Sequence, residues 1–146
     1  MLPGDPDRVF EFYSDAANLE AITPPWLDFR IVTPRPIHMG PGTLIEYRLR
    51  LHGLPIRWLT RIEAWEPGRR FVDVQLRGPY RLWHHTHSFE PHRNGTLVSD
   101  RVRYELPLGP IGELAHRLQV RRDLKRIFDH RIHAVADRLG AVAALA

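Results

Sequence analysis

The sequence predicts an α+β fold: two short helices lead into a curved antiparallel sheet of about six strands, and one long C-terminal helix closes over that sheet. Three patterns predict it. Residues 29–106 alternate apolar and polar side chains, with Gly, Pro and Asn at the breaks, which describes consecutive antiparallel strands. Beyond Gly109 the apolar residues recur at helical spacing instead, and Asp5-Pro6-Asp7 ahead of Arg8-Val9-Phe10 reads as a capped helix start.

In chain order, Asp5 caps the first helix with Pro6 at its first position, and a second short helix spans 15–22 and stops before Pro24-Pro25. Trp26 reads as a core plug beneath these helices or as a residue lining the pocket entrance. Strands are expected at 29–33, 43–51, 56–65, 70–77, 82–90 and 96–106, joined by turns at His52-Gly53-Leu54-Pro55, Pro67-Gly68, Gly78-Pro79 and Asn94-Gly95. Pairing Trp65 with Arg70 sets Ala64 against Phe71, Ile62 against Asp73 and Thr60 against Gln75. Across the next turns the same register sets Gln75, Asp73 and Phe71 against His85, His87 and Phe89. These three in turn face Val102, Asp100 and Val98, and Trp83 faces Tyr104. One face so defined collects Ile45, Tyr47, Leu49 and Trp58; the other collects Glu46, Arg48, Arg50, Arg61, Glu63, Arg101, Arg103 and Glu105, so one side is covered and one wet. Val72, Val74, Leu76 and Leu82 also fall on the outer face. The cover is a helix starting within 107–112 and ending at Gly140, with an apolar stripe of Ile111, Leu114, Ala115, Leu118, Leu124, Phe128, Ile132, Val135 and Leu139. Residues 1–140 form one domain, and the Ala-rich tail 141–146 is expected to fray.

Composition narrows the function. At 146 residues the chain is long enough for one core, and 43% hydrophobic with 26% charged residues is ordinary for a globular protein. No apolar run suits a membrane span and the start lacks a secretory signal, which places the protein in the cytoplasm without stable membrane insertion. Without cysteine there is no disulfide or thiolate chemistry. The net charge of +4 is almost all arginine, since Lys125 is the only lysine, but the arginines are dispersed among acids. Arg121, Arg122, Lys125 and Arg126, for example, interleave with Asp123 and Asp129 on the wet side of the last helix. A nucleic-acid surface is therefore not expected.

The chemistry concentrates between Phe71 and Phe89. Alternate positions Asp73, Gln75, Trp83, His85, His87 and Phe89 share one sheet face, placing polar groups and imidazoles among aromatic rings, as in the wall of a small-molecule pocket. As ligand-binding residues we take Tyr47, Trp58, Thr60, Asp73, Gln75, Trp83, His85, His87, Phe89, Tyr104 and Phe128, with Arg131 reaching from the helix toward an acidic ligand head. His85, His87, Asp73 and Asp100 would be catalytic if the protein is an enzyme, with an imidazole oriented by a carboxylate as the acid-base group. The same four could converge on a metal. Carboxylate-histidine pairs more often serve as buried hydrogen-bonded networks, so no metal and no cofactor is assigned.

The stretch containing Asp73, Gln75, Gly78, Pro79, Tyr80, Trp83, His85, His87 and Phe89 has the form D-x-Q-x-x-G-P-Y-x-x-W-x-H-x-H-x-F. With NLEAITPPW at 18–26 and Asp100-Arg-Val-Arg-Tyr104, it resembles single-domain bacterial members of the SRPBCC superfamily, the START and Bet v 1-like proteins that include polyketide cyclases and lipid or quinone carriers. The resemblance implies the helix-grip fold and a small hydrophobic or amphipathic ligand held between sheet and C-terminal helix. It leaves open whether that ligand is carried or undergoes a cyclase- or dehydratase-type reaction. Members of the superfamily open with a strand before the first helix, whereas only Met1 and Leu2 precede Pro3-Gly4 here, so either the sequence starts at an internal methionine or this strand is lacking. The sheet would then offer an edge for pairing, and a homodimer or an interaction module through that edge is the further expectation.

Overall fold

A computed structural model describes residues 1–107 and 109–144, with the side chains of 110–113, 115, 116 and 141–144 excepted. The chain folds as two helices, α1 (Pro6–Ser14) and α2 (Ala16–Ile22), and a single 3-10 turn (Pro25–Leu27). The strands β1 (Arg30–Ile31), β2 (Leu44–Leu51), β3 (Leu54–Glu66), β4 (Arg70–Arg77), β5 (Leu82–His92) and β6 (Gly95–Glu105) follow, and α3 (Pro110–Ala144) closes the chain. The six strands form one antiparallel sheet in sequential order. Two N-terminal helices, a curved sheet and a long C-terminal helix make this the helix-grip fold.

Local chemistry explains the boundaries. Asp5 accepts a hydrogen bond from the Arg8 N–H and caps α1, whose first residue is Pro6; Asp15 closes α1 and caps α2 through the Ala17 N–H. The β2–β3 turn is tight because both its residues, His52 and Gly53, have positive φ, 51° and 80°, matching the twist of the strands it joins.

The register of β5 on β6 is as expected, with Trp83 opposite Tyr104, His85 opposite Val102, His87 opposite Asp100 and Phe89 opposite Val98. Two other expectations need correction. Ile62 does face Asp73 and Thr60 faces Gln75, but a bulge between Ile62 and Ala64 puts Trp65, not Ala64, opposite Phe71. The extra residue turns Trp65 inward, where its ring meets Phe10 at 5.0 Å and Phe71 at 5.6 Å. On the other side of β4, Phe71 faces His87 and Asp73 faces His85, two residues away from the expected pairing. A shift of two keeps every side chain on its face, so periodicity cannot detect it.

The core sits at one end of the sheet. Phe10 stands edge-on to Phe71 and Phe89 as well as Trp65, and Leu2, Val9, Ile22, Val135 and Leu139 complete the cluster. Such edge-to-face pairs add roughly 0.5–1.5 kcal/mol each to the burial of the rings. Leu2 exchanges two backbone hydrogen bonds of 2.9 Å with Thr96, an isolated pair on the outer edge of β6. Gly95 allows this approach, because a side chain there would strike the Leu2 carbonyl.

The helix α3 differs from its expected form. It runs past Gly140 to Ala144, and Leu114, Leu118 and Ile132 of the expected stripe are 70%, 67% and 53% exposed. Its inner face is instead Leu124, Ile127, Phe128, Arg131, Val135 and Leu139. Ile111, Ala115 and the tail 141–146 lie outside the described side chains. Trp26 is no plug: it is half exposed, edge-on to His130 and under the Arg126 guanidinium at 5.3 Å. On the outer face Val72 is buried, while Leu76 and Leu82 are exposed.

Candidate functional site

Beyond the core, the sheet and α3 diverge around a cavity of about 170 Å³. Of the residues named from sequence, Tyr47, Trp58, Thr60, Asp73, Trp83, His85, His87, Phe128 and Arg131 line it. Three do not. Phe89 packs in the core cluster, and Tyr104 lies at the sheet's end against Tyr80. Gln75 is spent on the β4–β5 turn: its Nε2 donates to the Tyr80 carbonyl at 2.7 Å and its Oε1 accepts the Tyr80 N–H at 3.3 Å. Gly78 leaves the space that this side chain fills.

Along β5 the odd positions Trp83, His85, His87 and Phe89 are all buried, as period-two geometry demands. The two imidazoles lie 3.7 Å apart, centroid to centroid, between two carboxylates. Asp100, from β6, approaches His85 Nε2 at 3.0 Å and His87 Nδ1 at 2.8 Å. Asp73, from β4, approaches His87 Nε2 at 3.0 Å and His85 Nδ1 at 3.4 Å. Each acid therefore touches both rings. The His87 Nδ1 contact with Asp100 is an ion-pair distance without hydrogen-bond alignment, since that nitrogen is buried with no aligned acceptor. Phe71 stacks on His87 at 4.1 Å, and Phe128 stands edge-on to His85 at 5.4 Å.

The four groups share charge unequally. Burial disfavours ionisation of both acids, but the imidazoles outweigh it and hold Asp73 and Asp100 below the usual carboxylate range. Burial also disfavours an imidazolium. At His87 the two carboxylates, Asp100 and Asp73, overcome it and the ring is pushed up, whereas at His85 burial and the neighbouring His87 prevail and the ring is pushed down. The arrangement favours the charged form at His87, between the two carboxylates, and the neutral form at His85. Asp73, His85 and His87 also offer ligand atoms within 4.8 Å of one another, which suits three ligands of a metal.

Several cavity residues were not assigned to the site from sequence. Tyr13 enters from α1, three residues after Phe10 and so on the same buried side of the helix, which is the signal that marks it. Burial, aided by Asp100, pushes its phenol well above the usual range. Tyr80 belongs to the turn, and burial together with nearby Tyr104 and Asp123 pushes its phenol up to about 12. Tyr47 bonds Thr60 Oγ1 at 3.0 Å and stacks on Trp58. Besides His87 Nδ1, the donors Trp58 Nε1 and Arg131 Nε are buried without a hydrogen-bond acceptor among the described residues. A second cleft, lined by Trp26, Arg50, His52, Asp123 and Arg126, adjoins the cavity at Leu27, Leu51 and Ile127, which line both. There His52 Nε2 and Asp123 Oδ2, 2.7 Å apart, tie the β2–β3 turn to α3.

Residues 2–130 match the family model described as polyketide cyclase / dehydrase and lipid transport. No curated protein sequence matches. Among solved structures, TTHA0849 from Thermus thermophilus is 22% identical with a TM-score of 0.76, covering 97% of this chain and 93% of that one. The Zhui aromatase/cyclase from Streptomyces sp. R1128 is 15% identical with a TM-score of 0.75, covering 95% and 88%. Ara h 8.0201 is 17% identical with a TM-score of 0.69, covering 96% and 93%. At these identities the likeness is one of fold.

Proposed function

The chain belongs to the polyketide cyclase / dehydrase and lipid transport family, and from that premise we propose that it binds and carries a small hydrophobic or amphipathic molecule of lipid, quinone or polyketide type in the cytoplasm, held between the sheet and α3. One observation carries the reading: the inner face of the sheet turns from solid core to a cavity walled by Tyr47, Trp58, Trp83 and Phe128, with a few fixed polar groups among them. Apolar walls with sparse polar groups are how such ligands are held, and each well-buried aromatic contact contributes on the order of 1–2 kcal/mol. No helix among the described residues is long and apolar enough to cross a membrane. The reading includes no nucleic-acid partner, since Arg50, Arg57, Arg61, Arg70 and Arg81 each pair with an acid. It is tested by native mass spectrometry of protein purified from its own host, before and after denaturing release. A compound of this class in stoichiometric amount supports carriage; protein that is empty in every preparation and takes up no aromatic probe refutes it.

The second reading is a cyclase- or dehydratase-type enzyme, favoured by the presence of Asp73, His85 and His87 in the cavity wall itself. There His87, oriented by Asp73 and Asp100, would exchange a proton with a bound carbonyl compound. His87→Ala should then abolish turnover of the retained compound while changing its affinity less than about tenfold, and equal loss of both would assign a binding role. A third reading rests on β6, which has no strand partner on its outer side among the described residues apart from Leu2 at Thr96. Dimer formation through this edge is checked by sedimentation at high concentration, where a strictly monomeric species excludes it.

A further inference from the structure

The two unpartnered donors describe the molecule that the cavity accepts. Trp58 is 7% exposed, its Nε1–H has no acceptor, and its ring forms part of the cavity wall. Arg131 lines the same cavity, with its guanidinium 5.4 Å over the Phe128 ring, its Nε without an acceptor, and no carboxylate paired with it among the described residues. Leaving a buried donor unpaired is costly, and more so when it carries charge.

The rest of the polar wall cannot supply the missing acceptors. The oxygens of Asp73 and Asp100 that face the imidazoles are engaged by His85 and His87, and the Tyr47 hydroxyl is bonded to Thr60. Asp73 Oδ1 and the hydroxyls of Tyr13 and Tyr80 leave other polar atoms at the wall, but Trp58 Nε1 and Arg131 Nε, both buried without a partner among the described residues, are donors, and Arg131 carries positive charge. The apolar part of the wall includes the rings of Trp58, Trp83 and Phe128, with the two indoles at right angles, so a planar ring can stack on one and meet the edge of another. Capacity sets the size: an apolar cavity of about 150 Å³ takes up benzene, so about 170 Å³ suits one ring with a short substituent.

We infer that the ligand is a small aromatic anion, one ring bearing a carboxylate or phenolate oxygen that accepts from Trp58 Nε1 and Arg131 while the ring lies between the aromatic walls. This inference rests on the ligand-binding reading above and narrows it to one charge and one size.

Three isosteres differing only in the polar head test it by calorimetric titration: para-ethylbenzoate, para-ethylbenzamide and para-ethylbenzamidine. The wild type should bind the benzoate at least about tenfold tighter than the amide, because the bond to Arg131 becomes charge-assisted, and should bind the amidine least. Arg131→Gln should remove the preference for benzoate and leave the amide within about threefold, whereas Trp58→Phe, which keeps a ring but loses the N–H, should weaken both by about fivefold and preserve their ratio. Thermal melts verify that the variants are folded; should Arg131→Gln not fold, Arg131→Lys keeps the charge and should keep most of the preference. Equal affinities for all three heads, a preference for the amidine, or an unchanged preference in Arg131→Gln overturns the inference while leaving ligand binding intact. If none of the three binds but a neutral lipid is retained from the host, the inference again fails alone; if nothing is bound or retained, the underlying reading fails with it.

Discussion

Asp100→Asn isolates the electrostatics of the buried His-Asp cluster. Asp100 Oδ1 lies 3.0 Å from His85 Nε2 and 2.8 Å from His87 Nδ1, so the isosteric amide keeps the volume and an acceptor oxygen but removes the charge. Removing one partner of a buried ion pair costs about 3–5 kcal/mol, because the other charge remains. The Asp100 side chain is 17% exposed and His87 retains Asp73, which places the loss near the lower bound. About 3 kcal/mol lowers the melting temperature of a domain of this size by roughly 10 °C. The loss should also depend on pH. Asp100 is depressed in the folded protein, so the stability it contributes is full above the unfolded value of about 4 and declines as pH falls below it. His87 is raised, so its contribution is full below about 6.5 and declines as pH rises through the folded value. The difference between wild type and variant, measured by urea unfolding from pH 3 to pH 9, should therefore peak between about 4 and 6.5. A difference below about 1 kcal/mol, or one flat across that range, would refute the view that the charges on these four side chains are coupled.

Nitrogen chemical shifts at a pH of about 6.5 should report an imidazolium at His87 and a neutral ring at His85; two rings in the same state would contradict the unequal sharing described above. Gln75→Ala should cost about 1–2 kcal/mol by freeing the Tyr80 peptide group, and the Tyr80 amide should exchange with solvent faster while the His85 signals hold still. Unaltered exchange would mean that the turn stands without its glutamine. Leu118→Glu should change stability by less than about 0.5 kcal/mol, since Leu118 is an exposed residue on α3; a large loss in thermal melting would return it to the core.

How far the sequence reveals this protein depends on which physical signal each feature leaves. Strand alternation is strong where one face is covered, so β5, its partnership with β6 and the grouping of Asp73, His85, His87 and Asp100 are all legible before any coordinates. The shift of two between β4 and β5 leaves the same side chains on the same faces and is silent in the pattern. The bulge after Ile62 is silent too, because a single extra residue shows only in where Trp65 points. On α3 the periodicity is ambiguous for another reason. Leu114, Leu118 and Ile132 lie at helical spacing but not on the side that meets the sheet, while the arginine at 131 occupies a position that an apolar stripe would exclude. That misfit was the visible sign of a cavity, where a cation can stand on an inward face. The absence of partners for Trp58 Nε1 has no counterpart in sequence at all, since it depends on what fails to come near.

The inward turn of Trp65 gives the molecule an unequal division of labour. One half of the sheet is filled by interlocking rings around Phe10 and can bear most of the stability; the other half is left hollow, and the two meet at Phe71 and Ile22, which serve both. Changes to Trp83 or Phe128 therefore alter a lining that already has empty space beside it, outside the cluster of rings around Phe10. A scaffold built this way separates the side chains that hold it up from those that shape its hollow.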